Sequence, residues 1–252
     1  MIRRLFSGRR LATWLSLSLL VAGCAQMPGG TSDSSRIYNA IAIDDVAFIQ
    51  DAVRSGRLGV NQQISAPGYL EGAPLILIAA KYAALNTLRL LISAGANVNA
   101  QAPTGETALM LASYFSGEDR SNERHERAVR MLVEAGAGLE NSPGYYTALA
   151  YAAYQGHLRI VRFLLERGAR VDADADNGTA YVNTPLMMAA MQGHRDTALW
   201  LLRAGANPRT RIHLGHTASE LAMKNNHANV LQLLRCAERL APGESFALRC
   251  ER

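Results

Sequence analysis

Few residues in this chain have the type and spacing that chemistry requires. The densest acidic run is Asp172-Ala-Asp174-Ala-Asp176-Asn177-Gly178. Alternating carboxylates ahead of a glycine open a calcium loop, because oxygen ligands at alternate positions wrap a hard cation and glycine permits the sharp turn. Here the glycine comes one residue late, and Asn183 stands where the closing bidentate Glu belongs. Asp172, Asp174 and Asp176 thus match a calcium loop only in part, and an acidic solvated turn is the plainer reading. His157, His194 and His227 recur at a long, regular period, which marks a structural slot. His213 and His216 could form a surface pair, but three ligands with metal spacing are not visible. The sequence contains no glycine-rich phosphate loop, no serine nucleophile elbow and no His-Glu-x-x-His helix. Neither an enzyme nor a cofactor is expected.

The net charge of +5 is concentrated at one end. Residues 1–23 hold Arg3, Arg4, Arg9 and Arg10 and no acid, so the rest of the chain sets 22 basic against 21 acidic residues. A nucleic-acid partner, which needs a basic face on the folded part, is not expected. Leu11 to Ala22 is a short apolar run behind that basic head, the pattern of a secretory signal and too short to span a bilayer comfortably. It ends Leu20-Val21-Ala22-Gly23-Cys24, which resembles the lipobox of bacterial lipoproteins. The resemblance implies cleavage after residue 23, lipidation of Cys24 with palmitate-like acyl chains, and an envelope protein facing the periplasm. Ala25 in place of Asp favours the outer membrane. Residues 24–36 then form a lipidated, Gly-, Pro- and Ser-rich tether.

The remainder is periodic. Thr147-Ala-Leu-Ala-Tyr-Ala-Ala153 aligns with Thr184-Pro-Leu-Met-Met-Ala-Ala190. Gly156-His157 matches Gly193-His194, Leu164-Leu165 matches Leu201-Leu202, and Gly168-Ala169 matches Gly205-Ala206. Thr217 to Cys236 follows the same template, and earlier copies open at Gly72 and Gly105. Each slot has a physical reason: threonine caps a helix, Pro185 suits a first helical turn, alanines let helices approach, and Gly156 and Gly193 permit a left-handed C-terminal turn. The repeat resembles the ankyrin repeat, whose period is near 33 residues. The resemblance implies an all-α solenoid of helix-turn-helix units with short β-hairpin-like fingers over residues 37–238. The copies are a degenerate first unit at 37–71, then 72–104, 105–144, 145–181, 182–214 and 215–238, with a tail at 239–252. The family's histidine after Pro-Leu is replaced in every copy, by Leu77, Met110, Ala150, Met187 and Glu220, so its hydrogen bond is absent or replaced. Two stretches exceed the period. Ser116 to Glu126 is read as a solvated loop or a partner contact, and Asp172 to Asn183 as a long finger.

By the same resemblance, the residues after each Ala-Ala pair and those just before each threonine face a concave side. These are Lys81, Tyr82, Tyr114, Phe115, Tyr154, Gln155, Met191, Gln192, Lys224 and Asn225, with Glu106, Tyr145, Tyr146, Asn183 and His216 from the fingers. Tyrosine brings rigid contact area with a polar end and is common at binding hot spots. The other possibility is that these rings only pack between repeats. With Cys24 lipidated, Cys236 and Cys250 remain as a disulfide pair or as two free thiols. The expected role is a monomeric, lipid-anchored scaffold or accessory factor that binds a protein. The alternatives are an inhibitor or immunity protein against a periplasm-delivered toxin or lipase, and a structural envelope lipoprotein.

Overall fold

The computed structural model describes residues 33–115, 119–140, 146–173, 183–211, 215–240 and 246–250. Each repeat is an inner helix, a tight turn and an outer helix. The first unit holds α1 (Asp33–Ala42) and α2 (Val46–Arg54), followed by an antiparallel hairpin, β1 (Gln63–Ala66) and β2 (Tyr69–Pro74). Then come α3 (Leu75–Lys81) and α4 (Leu85–Ser93), α5 (Ala108–Ser113) and α6 (Asp119–Glu134), α7 (Ala148–Gln155) and α8 (Leu158–Glu166). The last pairs are α9 (Pro185–Gln192) with α10 (Arg195–Arg203) and α11 (Ala218–Lys224) with α12 (Ala228–Arg239), followed by a short α13 (Phe246–Cys250). The inner helices α3, α5, α7, α9 and α11 stack on one another, and the outer helices α2, α4, α6, α8, α10 and α12 form a second row.

The helix starts follow from their cap residues. Thr107, Thr147, Thr184 and Thr217 each accept the backbone N–H three residues on, at 3.2 to 3.3 Å, satisfying a donor that the first turn leaves orphaned. The altered slot after Pro-Leu partly returns the bond. In the last copy the Thr217 N–H donates to Glu220 Oε2 at 3.0 Å, and in the second full copy the Thr107 N–H reaches Met110 Sδ at 3.3 Å. The alanine slots are buried so that adjacent inner helices close up: Ala79, Ala80, Ala112, Ala152, Ala153, Ala189, Ala190 and Ala222 expose nothing. Outer helices are amphipathic. In α8, Ile160, Val161, Phe163 and Leu164 are buried while Arg159, Arg162 and Glu166 stay in water.

Register between repeats is set by histidines and by finger side chains. Nε2–H of His157, His194 and His227 donates to the carbonyl of Phe115, Tyr154 and Met191, each in the preceding repeat, at 2.8, 3.0 and 3.0 Å. The left-handed glycines receive the same rings. A Cβ on Gly156 would lie 2.5 Å from His194 Nδ1, and one on Gly193 would lie 2.5 Å from His227 Nδ1. Along the fingers, Asn61 Oδ1 accepts from the Asn97 N–H, Asn99 Oδ1 from Gly138, Glu140 Oε1 from Arg170 and Asp172 Oδ2 from Asn207, all between 2.8 and 3.0 Å.

The charged stretch 116–126 is not a loop where it is described. Its residues from Asp119 onward are the first turns of α6, with His125 and Glu126 buried. The reason lies in the repeat itself. His125 stands as far before Gly136 as His157 stands before Gly168, and its Nε2–H donates to the Lys81 carbonyl at 3.1 Å. The extra residues therefore extend the outer helix ahead of an unchanged histidine slot. Glu126 is held by Arg130 at 3.0 Å and by Arg159 of the next outer helix at 2.9 Å. Arg124 donates to the Ala83 carbonyl at 3.0 Å and lies 3.5 Å from Asp44.

The acidic finger is described only at its start and end. The Asp172 carboxylate is an inter-repeat acceptor, and among the described residues no group of three His, Cys, Asp or Glu could hold a metal. Asp174 and Asp176 lie outside the described residues. At the far end a disulfide joins Cys236 to Cys250, with Cα atoms 5.7 Å apart. It seats α13 against α10 and α12, with Phe246 packed on the core.

Candidate functional site

The tyrosines converge on the inner row. Tyr114 ends α5, while Tyr151 and Tyr154 lie one turn apart on α7 and so share a face. Tyr146 comes from the finger just ahead of the Thr147 cap. The ring centroids of Tyr114 and Tyr151 are 4.9 Å apart, those of Tyr146 and Tyr151 5.8 Å, and those of Tyr114 and Tyr154 6.1 Å. The first two pairs meet edge to face, the arrangement that aromatic quadrupoles favour. Burial, and then the neighbouring Tyr154, raises the Tyr114 phenol above its ordinary value. The Tyr114 hydroxyl stays protonated at neutral pH and can donate.

A second group adjoins it. The Tyr38 and Tyr82 hydroxyls are hydrogen-bonded to each other, with rings 5.8 Å apart. Lys81 Nζ lies 5.7 Å from the ring centroids of both Tyr69 and Tyr82, an attraction between ammonium and ring face. Tyr69 is only 4% exposed, and burial, with Glu106 adding to it, pushes its hydroxyl pKa up. Burial lowers the Lys81 pKa, and Glu106 opposes that effect. The surface is therefore mostly aromatic, with one ammonium and one carboxylate in partial balance.

The expected residues divide as follows. Tyr82, Tyr114, Tyr146 and Tyr154 are half-buried on this face, with Lys81, Glu106 and Gln155 beside them. Met191 is half-buried, and its sulfur accepts from Asn183 Nδ2 at 3.4 Å. Gln192 and Lys224 are exposed toward the C-terminal end. His216 Nδ1 lies 3.7 Å from Glu220 Oε2, and the Glu220 pKa is lowered chiefly by the Thr217 N–H, with Arg211 contributing. Tyr145 and His213 lie outside the described residues.

Phe115 is not on the face at all. It is 8% exposed and stacked between His125 and His157, with centroids 3.9 and 4.0 Å away. The longer outer helix draws it inward, and its carbonyl takes the His157 bond that an earlier residue serves in the other copies. Three rings escaped the sequence reading: Tyr38, Tyr69 and Tyr151. Tyr151 was detectable as the residue three before Tyr154 on the same helix. Tyr69 was not, because it reaches the site through the hairpin of the degenerate first unit.

The comparisons with known proteins agree with this architecture. The family description "Ankyrin repeats (3 copies)" matches residues 75–175 and 118–212. Among similar proteins, the "Ankyrin repeat and KH domain-containing protein mask-1" of Caenorhabditis elegans is 29% identical over 65% of this chain and 6% of its own length. "Dauer abnormal formation protein 25" of the same organism is 34% identical over 43% of this chain and 27% of its own. The "Mitochondrial disaggregase" of Bos taurus is 30% identical over 59% of this chain and 20% of its own. The matches thus span a minor part of each relative.

These relatives overturn the lipoprotein reading. They are proteins of animals, and none of the three is named as an envelope or lipid-anchored protein. A lipidated Cys24, an outer-membrane site facing the periplasm, and the scaffold, inhibitor and structural roles tied to that site are set aside. Cys24 and the leader before it lie outside the described residues, and among the described residues no helix is long and apolar enough to cross a membrane. The match runs through more than half of the chain, over repeats that serve typically as non-catalytic scaffolds, and the chain belongs to the ankyrin-repeat family.

Proposed function

We propose that the protein binds another protein through the tyrosine-lined face of its inner helices. The observation that carries this reading is the continuity of the rings. Tyr146, Tyr151, Tyr114 and Tyr154 form neighbouring ring contacts across two units, and Lys81 lies over both Tyr69 and Tyr82 ahead of them. Rigid, half-buried tyrosines lose little side-chain entropy on binding and bring both apolar area and a hydroxyl. The units behind the face are those of 72–104, 105–144, 145–181 and 182–214, flanked by the end units 37–71 and 215–238.

The test is affinity capture with the full chain, followed by quantitative binding of the captured protein. Tyr114→Ala combined with Tyr154→Ala should weaken binding by about thirtyfold or more, as expected for hot-spot truncations of about 2 kcal/mol or more in total. Arg159→Ala, on the outer row, should leave it unchanged. A captured partner indifferent to the tyrosine changes, or lost with Arg159→Ala alone, would overturn the reading.

A further inference from the structure

The outer row carries a feature that the tyrosine face does not use. The slot five residues after the histidine slot holds arginine on three successive outer helices: Arg89 after Ala84 on α4, Arg130 after His125 on α6 and Arg162 after His157 on α8. These helices pack side by side in the order α4, α6, α8, so the three arginines stand abreast across the row. None of them is fully neutralised. Arg89 is exposed, and among the described residues it has no ion-pair partner. Arg130 shares the Glu126 carboxylate with Arg159, so one buried negative charge faces two guanidinium groups. Arg162 is exposed and stacks on the Trp200 ring, its Cζ 4.3 Å from the centroid, and Arg130 lies as close to the Phe163 ring. Stacking fixes the guanidinium plane and leaves its edge N–H groups to bond elsewhere. Helix stability does not explain the placement. In α8, Arg159 stands in the first turn and Glu166 in the last, against the helix dipole.

We propose that this stripe binds an extended acidic segment of a protein, with a carboxylate at every third residue. Neighbouring packed helices lie about 8–10 Å apart. A polyproline II chain rises about 3.1 Å per residue and turns once in three, so every third side chain falls on the same side, about 9 Å from the last. Such a segment, laid across the row, sets one carboxylate against each of Arg89, Arg130 and Arg162. The guanidinium fork matches a carboxylate in pairs. Nucleic acid fits less well, because Glu123, Glu134 and Glu166 stay exposed beside the stripe and repel a chain that is charged at every nucleotide. The stripe lies on the row of helices away from the tyrosines and stands or falls independently of them.

The experiment is fluorescence anisotropy with the full chain and labelled probes: the peptide Glu-Pro-Pro-Glu-Pro-Pro-Glu, a peptide of the same composition with its glutamates adjacent, and a single-stranded oligonucleotide. The spaced peptide should bind more tightly than the clustered one and weaken as salt rises. Arg89→Gln and Arg162→Gln should each weaken it up to about fivefold, the scale of an exposed ion pair, and together about tenfold or more, with circular dichroism unchanged. Arg36→Gln, on α1, should have no effect. No binding of the spaced peptide, or binding untouched by the paired arginine changes, would overturn the proposal. Equal affinity for the clustered peptide would overturn the match of spacing. An oligonucleotide bound more tightly than the spaced peptide, and lost with the same two changes, would overturn the assignment to an acidic protein segment.

Discussion

At the scale of single residues, the tightest constraint is a pair: a glycine in one repeat and a histidine in the next. Gly156 has φ +74, which already disfavours a side chain, and the His194 ring fills the space a Cβ would need. Gly168 has φ +90 with nothing within 4 Å. The two glycines therefore separate two costs. Gly168→Ala should lose about 1–2 kcal/mol for the left-handed backbone alone. Gly156→Ala should lose about 1 kcal/mol or more beyond that, because the displaced imidazole gives up its bond to Tyr154. Urea unfolding of both variants measures the difference. Adding His194→Ala should shrink the excess cost of Gly156→Ala, since the two residues share one contact. Equal losses in the two single variants would contradict the account. The pairing was half legible beforehand. Gly-His recurs in the sequence, but that the glycine of one copy receives the histidine of the next is a fact of stacking, which no single copy displays.

At the scale of elements, the histidines form a row between the inner and outer helices. Burial is the main cause that lowers the pKa of His157 and His194; the Phe115 and Tyr154 carbonyls pull the other way, and neighbouring histidines add to the lowering. A base whose folded pKa is depressed favours its neutral form in the fold. Its contribution to stability is full above the unfolded value of 6.5 and is lost as pH falls below it toward the folded value. Denaturant midpoints should therefore be level above neutrality and decline as the pH falls below about 6.5. His157→Gln with His194→Gln should flatten that decline, and a decline of unchanged slope would rule out these two groups as its source. The element most poorly read from sequence was α6. Ser116 to Glu126 has the composition of a solvated loop, yet Asp119 onward is helical. Composition misleads here because Glu123 and Arg124 stay exposed while His125 and Glu126 turn in. Counting back from Gly136, where the period is intact, places His125 in its slot. Counting forward from Thr107 does not.

At the scale of the whole molecule, the repeat order and the layering of helices followed from the threonine, alanine, leucine and glycine slots, because each slot reports a local requirement. The binding face did not follow so fully. Its tyrosines meet only after separate units are stacked, and Tyr38 and Tyr69 come from a first unit whose pattern is worn down. A stack of this kind is stabilised mainly by contacts between neighbours, so damage at one end stays near that end. The Cys236–Cys250 bond closes a loop of 14 residues. Its loss should cost up to about 3 kcal/mol in the chain-entropy model. Hydrogen exchange should locate that loss in α12 and α13, leaving α3 to α7 protected as before. Arg209 limits the spread, since its guanidinium bonds the Glu238 and Leu240 carbonyls at 2.6 and 2.8 Å and holds the end of α12 without the bridge. Exchange that rises throughout the stack would show longer-range cooperativity than nearest neighbours supply. The histidine bonds have one more consequence, which concerns time. Each imidazole seeks a carbonyl in the repeat that the ribosome has already made. A nascent chain can thus dock each of the last four pairs of helices on a finished template as it emerges, so that this part of the array can assemble in the direction in which it is translated.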